Sequence, residues 1–363
     1  VKQEVYQDLY VCPVTEKDPG QILFSSMGRV GPIALMSDLN ADFYIVKEES
    51  NKETRIYQKV IPHIAPYLHL LKTETLDKIP GQEFKSPGSP YPNGKYAVSC
   101  YTIDWGQYDI VISINISLPT QLILKYPQTL FAYMIGEANM ATGKARFGYD
   151  ATLNQMARGR ISHKCGAIDF PYTFVAKDTL EKIMQQYLGR PSARKGIFME
   201  INSTTERPVT RIPDHFQPLA DAGYEIILHQ QKIADNLKNI YDAKYFVKMG
   251  GRSIRGNSVA EAVSLGTLAI MNRDEVIHHE LIIDECNVKT MDEMISLINR
   301  LENDPELYRT LQQKQRQVLH TYFFDAPLQS LINCLKEKRG LSKPRTYSRW
   351  NRLFDNLYFL KLR

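Results

Sequence analysis

The stretch KMGGRSIRGNSVAEAVSLGTLAIMN, residues 248–272, has the pattern of a loop, a helix and a strand. Its first nine residues contain three glycines, which enter positive φ without steric cost and so predict a loop. Asn257 or Ser258 can cap the helix that follows, because either side chain can accept a hydrogen bond from a free backbone N–H. We expect Gly266 to end this helix and residues 267–271 to form a short buried strand. The apolar positions predict the helix face that turns inward: Val259, Ala262, Val263 and Leu265.

A helix that starts after glycine and near basic residues is typical of a phosphate site. Its first N–H groups and its dipole favour an anion, and Lys248, Arg252 and Arg255 supply positive charge nearby. Glycine-rich helix starts are common, however. An ordinary strand–helix unit with surface arginines therefore stays an open alternative on spacing alone.

The string GNSVAEAVSLGTLAIMN, residues 256–272, resembles the donor-binding segment of GT-B glycosyltransferases. In that family a loop of small residues leads into an E-A-x-x-x-G helix and then a strand. The resemblance implies that Glu261 holds the ribose of a nucleotide-sugar, and that Gly256, Asn257 and Ser258 lie beside its phosphates. Many retaining members have a second Glu eight residues before the first. Ser253 occupies that position here, which departs from the retaining pattern.

Length and composition indicate a globular protein of two domains. The chain has 363 residues, and its hydrophobic fraction of 43% is enough for two cores. Its five cysteines are scattered, without metal-site spacing, which favours reduced thiols and a cytoplasmic setting. No apolar run approaches the length of a membrane span, and no signal peptide is recognisable.

The positive charge is concentrated at the C-terminus. Residues 336–363 hold nine Lys or Arg and two acids, a net of +7, which leaves −2 for the rest of a chain whose total is +5. Residues 340–363 alternate basic and aromatic side chains. Such a segment packs on the protein body or a partner, or lies on an anionic membrane surface. Nucleic acid is the least favoured of its partners.

The first half of the chain reads as a Rossmann-like domain. Residues 108–114 and 130–135 are apolar runs that predict neighbouring buried strands, with a short helix between them. Residues 42–46 predict another strand, and residues 55–71 have helical periodicity. The polar and basic residues 139–164 fit either a loop over the cleft or an ordinary solvated surface. Ligands bind beyond the carboxyl ends of parallel strands. Glu137, which follows such an end, is therefore one candidate general base, and His163 is another. A salt-bridged or helix-capping role for Glu137 stays an open alternative.

The second half repeats the alternation of strands and helices. We predict an N-terminal acceptor domain over residues 1–188, a linker over 189–195 and a donor domain over 196–325. Strands are expected within 196–201, 224–229 and 244–248. A last helix and the basic aromatic tail follow over residues 326–363. The resemblance implies that this helix crosses back to the first domain, and that Asn202 and Arg207 contact the donor diphosphate.

His278, His279 and Glu280 do not fit a metal site, because adjacent helical residues point about 100° apart and the spacing differs from H-E-x-x-H. The resemblance likewise implies no cofactor and no bound metal. It indicates an α/β protein with two Rossmann-like domains facing a cleft. The expected activity is transfer of a sugar from a nucleotide-sugar to a glycan or lipid-linked acceptor in polysaccharide biosynthesis.

Two alternatives remain open. A GT-B-fold epimerase would use the same donor pocket and convert one nucleotide-sugar into another without an acceptor. A non-catalytic sugar-binding or nucleic-acid-binding protein would keep the fold and use the basic tail. For the transferase we expect a cytoplasmic protein, with peripheral membrane contact through the tail.

Overall fold

The structure is a computed structural model, and it confirms an α/β protein built on parallel sheets. It describes residues 39–45, 68–70, 103–114, 120–135, 149–154, 168–169, 177–200, 210–229, 233–250 and 257–341.

The first half forms a four-stranded parallel sheet and a separate two-stranded parallel pair. The pair consists of β1 (Phe43–Ile45) and β2 (Leu68–Leu70). The sheet has the order β3-β4-β5-β6, and its strands and the first described helix have these bounds: β3 (Ile110–Ile114), α1 (Thr120–Leu124), β4 (Leu130–Ile135), β5 (Ala151–Asn154) and β6 (Ile168–Asp169).

Two sequence predictions in this half are wrong. Helical periodicity was expected through residue 71, yet β2 pairs with β1 in parallel register. The run YLHLL is short and apolar, so periodicity alone does not separate helix from strand there. Residues 139–164 were interpreted as a loop over the cleft or a solvated surface, yet β5 lies within them. It buries Ala151 and Leu153 and hydrogen-bonds to β4.

The second half alternates helices with four parallel strands in the order β10-β9-β7-β8. Its elements are α2 (Thr179–Leu188), β7 (Ile197–Met199), α3 (Gln217–Asp221), β8 (Ile226–Ile227), α4 (Ile233–Asp242), β9 (Tyr245–Lys248), α5 (Asn257–Ser264), β10 (Leu268–Met271), α6 (Met291–Asn303), α7 (Pro305–His320), a π-helix (Thr321–Asp325) and α8 (Ala326–Arg339).

Apolar strand residues form the core of the second sheet. Ile197, Val247 and Ile270 come from three neighbouring strands and are fully buried. They pack with residues of α6 and α7, such as Ile298 and Leu311. The β-branched residues suit a pleated surface covered by helices, which explains why these short runs form strands.

The segment 189–195, predicted as a linker, is fixed to the end of α4. Arg190 binds both carboxylate oxygens of Asp242, at 2.7 and 2.5 Å. This hydrogen bonding from Arg190 lowers the pKa of Asp242. Because the folded pKa is lowered, the pair stabilises the fold above the usual carboxyl range and its contribution is lost as the pH falls below it.

The last helix packs on the first sheet, as the resemblance implied. Leu331 and Leu335 of α8 join an apolar cluster with buried residues of β4 and β5. Lys338 then donates to the Asp150 carboxylate at 2.7 Å and to the Thr129 carbonyl at 2.6 Å. Asp150 also accepts the Phe131 N–H at 2.8 Å, so its carboxylate joins the helix to the sheet.

Within the part of the chain that the structure describes, no helix has the length and apolar character needed to span a membrane.

Replacing Lys338 with Met should destabilise the fold strongly, because the Asp150 side chain is only 6% exposed and would lose its counter-charge. We expect a loss of about 3 kcal/mol or more in the free energy of unfolding, measured by urea denaturation. The matched control is Arg339→Met on the same helix. The Arg339–Asp109 pair is exposed, with side chains 41% and 74% accessible, so its loss should cost less than about 1 kcal/mol. Equal losses would contradict the anchoring role of Lys338.

Candidate functional site

The strand order of the second sheet creates a topological switch point between β7 and β9. The chain leaves β7 for β8 on one side, and β9 later pairs with β7 on the other side. In open parallel sheets, ligands bind beyond the carboxyl ends of the strands at such a point. Glu200 follows β7 and Lys248 ends β9, so these residues flank the switch point. The candidate site therefore lies at the carboxyl edge of β7 and β9, from which the chain continues to α5.

Polar side chains collect at this carboxyl edge, although the sheet beneath it is apolar. Glu200, His229 and Lys248 are all at least nine-tenths buried, after β7, after β8 and at the end of β9. The Asn236 side chain lies 3.3 Å from His229 Nδ1. Because ligands bind beyond the carboxyl ends of parallel strands, this cluster makes the edge a candidate site.

Sequence reasoning missed Glu200 and His229. The signal was present, because Glu200 and His229 come directly after the apolar runs GIFM and IIL. The rule that selected Glu137, a polar group beyond the carboxyl end of a strand, selects these two residues equally well.

The helix α5 has the predicted position and buried face. Val259, Ala262, Val263 and Leu265 are at most 1% exposed, and Gly266 ends the helix with φ +82°. The helix begins at Asn257, so Asn257 and Ser258 both lie in its first turn rather than before it. The strand expected over residues 267–271 is β10.

Ser258 and Glu261 lie on one face of α5. They are three residues apart, which places them one above the other on consecutive turns. Both side chains are partly exposed, unlike the apolar residues around them. A hydroxyl near the helix start and a carboxylate one turn later can together contact a ligand that lies along this face.

Lys248 is enclosed by protein atoms. Its side chain is 0% exposed, and its Nζ donates to Glu275 Oε2 at 2.5 Å and to the Gly250 carbonyl at 2.8 Å. Glu275 Oε1 accepts the Gly250 N–H at 2.8 Å. The positive charge predicted beside the phosphate site is therefore present at the edge and is paired with a carboxylate.

The C-terminus of α5 is held by basic and amide side chains. Arg194 donates to the Leu265 carbonyl at 2.6 Å, and Gln312 donates to the Gly266 carbonyl. The Glu181 carboxylate pairs with both Arg194 and Arg316. Positive charge at this end complements the negative end of the helix dipole and leaves the N-terminus to attract an anion.

The seven remaining predicted site residues lie outside the described residues. They are Glu137, His163, Asn202, Arg207, Arg252, Arg255 and Gly256. Their assignments stay predictions.

The His278-His279-Glu280 run belongs partly to the core. His278 is 1% exposed and lies edge-on to the rings of Tyr322 and Phe323. His279 Nε2 lies 3.5 Å from the Glu280 carboxylate. Among the described residues, no group of three or more His, Cys, Asp or Glu is arranged to hold a metal ion.

Comparison with known proteins gives likeness in structure only. No family model matches the chain, and no curated protein matches it in sequence. HepE from Anabaena, solved in complex with UDP, is 10% identical with a TM-score of 0.40, over 88% of this chain and 96% of its own. Sucrose-phosphate synthase from Thermosynechococcus elongatus is 13% identical with a TM-score of 0.39, over 75% and 84%. T4 phage BGT, in complex with UDP and Mn²⁺, is 11% identical with a TM-score of 0.35, over 83% and 98%. At this level of likeness, the matches assign neither a family nor a substrate to this chain.

The turn at Gly266 offers a test of how firmly α5 is held. An alanine Cβ there would collide with the guanidinium groups of Arg194 and Arg316, whereas a Cβ at Gly223 meets open space. Both glycines have positive φ, +82° and +90°, so both substitutions carry a similar backbone strain of about 1 kcal/mol. We expect Gly266→Ala to cost roughly 2 kcal/mol more than Gly223→Ala in urea denaturation, through lost hydrogen bonds. Equal costs would mean that the arginines move aside freely.

Proposed function

We propose that this chain is a glycosyltransferase that uses a nucleotide-sugar donor. The observation that carries the proposal is the start of α5 at the switch point of the second sheet, with Ser258 and Glu261 on one face. The second sheet binds the donor in this proposal, and the first half of the chain binds the acceptor.

The first turn of α5 suits a diphosphate. Its N–H groups lack intrahelical partners and point along the axis, and the helix dipole favours negative charge there. Arg194 and Arg316 place positive charge near the C-terminal end of α5, where it complements the negative end of the helix dipole. A leaving nucleoside diphosphate gains negative charge as its bond to the sugar breaks, so donors fixed in advance at this point lower the barrier.

Glu261 suits the ribose of the nucleotide. A carboxylate accepts hydrogen bonds from two neighbouring hydroxyls, and bonds to a charged acceptor are stronger than neutral ones. Its place one turn beyond Ser258 matches a ligand whose phosphates lie at the helix start and whose ribose lies beside the helix.

The reaction would join an acceptor oxygen to the anomeric carbon of the sugar. The bond between that carbon and the phosphate oxygen breaks, and its electron pair leaves with the nucleoside diphosphate. The acceptor hydroxyl gives its proton to a general base, for which Glu137 and His163 are the candidates in an inverting reaction. Glycans and lipid-linked sugars are the proposed acceptors, with polysaccharide biosynthesis as the setting.

We further propose a cytoplasmic enzyme that needs no bound metal and touches membranes through its basic tail. Activity that survives EDTA would support metal independence.

Loss of vesicle binding after deletion of residues 342–363, with turnover of a soluble acceptor kept, would support the membrane contact. Loss of turnover with that soluble acceptor would instead assign the tail to the fold or the site.

A thermal-shift series with UDP, GDP, CMP, ADP, TDP and their common sugars tests the donor site. A nucleotide at ~100 times its Kd adds about 2.7 kcal/mol to stability, so one nucleotide should raise the melting temperature by a few degrees. No response to any of them at millimolar concentration would overturn the proposal. Sugar interconversion without an acceptor would instead identify an epimerase.

Glu261→Ala should weaken binding of the responding nucleotide roughly 10- to 100-fold, because charged hydrogen bonds to the ribose are lost. Isothermal titration calorimetry measures the Kd. Glu337→Ala is the matched control, since Glu337 is an exposed helical glutamate on α8 and should leave the Kd unchanged. An unchanged Kd for Glu261→Ala would remove that residue from the donor site.

A further inference from the structure

The buried pair of Lys248 and Glu275 connects the ends of two neighbouring strands. Lys248 ends β9, and Glu275 lies in a short 3₁₀ turn (Arg273–Glu275) just after β10. The two strands run in parallel register, with Lys248 opposite Met271. The ion pair therefore crosses the carboxyl edge of the sheet beside the switch point, where the proposed donor site lies.

Both ions of this pair also bind the backbone of Gly250. Lys248 Nζ donates to the Gly250 carbonyl at 2.8 Å, and Glu275 Oε1 accepts the Gly250 N–H at 2.8 Å. Gly250 has φ +69°, a conformation that glycine adopts without penalty. One residue thus has both of its backbone polar groups held by a buried ion pair. Gly250 lies at a bend two residues after β9, in the stretch of sequence that joins β9 to α5.

A buried ion pair is poorly explained by stability alone. Desolvation of the two charges costs as much as their attraction returns, and apolar residues of similar volume often stabilise a fold more. Lys248 is 0% exposed and Glu275 only 16%, so the pair carries this desolvation cost almost fully. An apolar pair could not form the hydrogen bonds that Lys248 and Glu275 make with the backbone of Gly250. The geometry therefore favours orientation of the backbone as the role of the pair.

We propose that Lys248 and Glu275 are positioning residues of the donor site, which set the direction of the chain from β9 to α5 through Gly250. This inference rests on the proposed function. It replaces direct phosphate binding by Lys248 with an indirect role, because the ammonium group already has a carboxylate and a carbonyl as partners.

The substitution Glu275→Gln distinguishes phosphate binding by Lys248 from positioning of Gly250, because the two roles predict different changes in nucleotide affinity. If Lys248 contacts phosphate, removal of the competing negative charge leaves nucleotide affinity unchanged or raises it. If the pair positions Gly250, the same substitution disturbs the clamp, and affinity falls about tenfold or more. The probe is whichever of UDP, GDP, CMP, ADP and TDP gives the largest thermal shift with the unmodified chain, and calorimetry measures its Kd.

The double substitution Lys248→Met with Glu275→Leu guards against simple unfolding. It removes both charges together, so no unpaired ion stays buried and the melting temperature should remain close to that of the unmodified protein. We expect the amide hydrogen of Gly250 to exchange faster with solvent and the nucleotide Kd to rise about tenfold or more. A folded double variant with unchanged Kd would overturn the positioning role.

The matched control is Lys244→Met with Glu302→Leu. This ion pair, at 2.9 Å, involves the residue just before β9 and so lies at the opposite edge of the same sheet. Its removal should leave the nucleotide Kd unchanged, and an equal loss of affinity there would also overturn the inference. Failure of the unmodified chain to bind any of the five nucleotides overturns the proposed function together with this role. Normal binding that persists in Glu275→Gln and in the double variant overturns the positioning role alone.

Discussion

The contact between Lys338 and Asp150 is the constraint on which the relation of the last helix to the first sheet depends. These residues are 188 positions apart in the chain, and the carboxylate also binds the Phe131 N–H inside the sheet. An ammonium group that is mostly buried needs this partner, because its desolvation is otherwise uncompensated. The apolar contacts of α8 bring the helix to the sheet, and the ion pair sets its position there.

The buried face of the last helical run turns gradually from the second sheet to the first. Buried residues recur at every fourth position from α7 through the π-helix to α8: Leu311, Gln315, Leu319, Phe323, Pro327, Leu331 and Leu335. Four residues of an α-helix advance about 40° beyond one full turn, so a stripe with this spacing winds around the helix. Its first part meets β10, where Gln315 binds both backbone groups of Ala269. Its last part meets β4 and β5, which explains how one continuous helical run serves both sheets.

Strong apolar runs were predictable from the sequence, and weak ones were not. The strand LFAYMI at residues 130–135 has its predicted bounds, because large apolar and aromatic residues fill a buried strand. The strand ATLN at residues 151–154 was missed, since only two of its residues are apolar and polar residues surround it. Its pairing with β4 comes from tertiary contacts that periodicity does not contain. The helix α5, its end at Gly266 and the strand β10 were predictable in detail, because the apolar helix positions, the glycine and the apolar strand follow one another within a short stretch.

The candidate site was predictable by region but not by its partners. Lys248 was selected for its charge, and nothing in the local sequence indicates that Glu275, 27 residues later, neutralises it. That pairing follows from the parallel register of β9 and β10, which brings the ends of the two strands together. The same topology places Glu200 beside Lys248 across the switch point, although 48 positions separate them in the sequence. Strand order therefore determines which polar residues are neighbours at the carboxyl edge. The charge of a residue allows it to bind an anion, but its neighbours in the fold determine whether it contacts the ligand or holds the backbone beside the ligand.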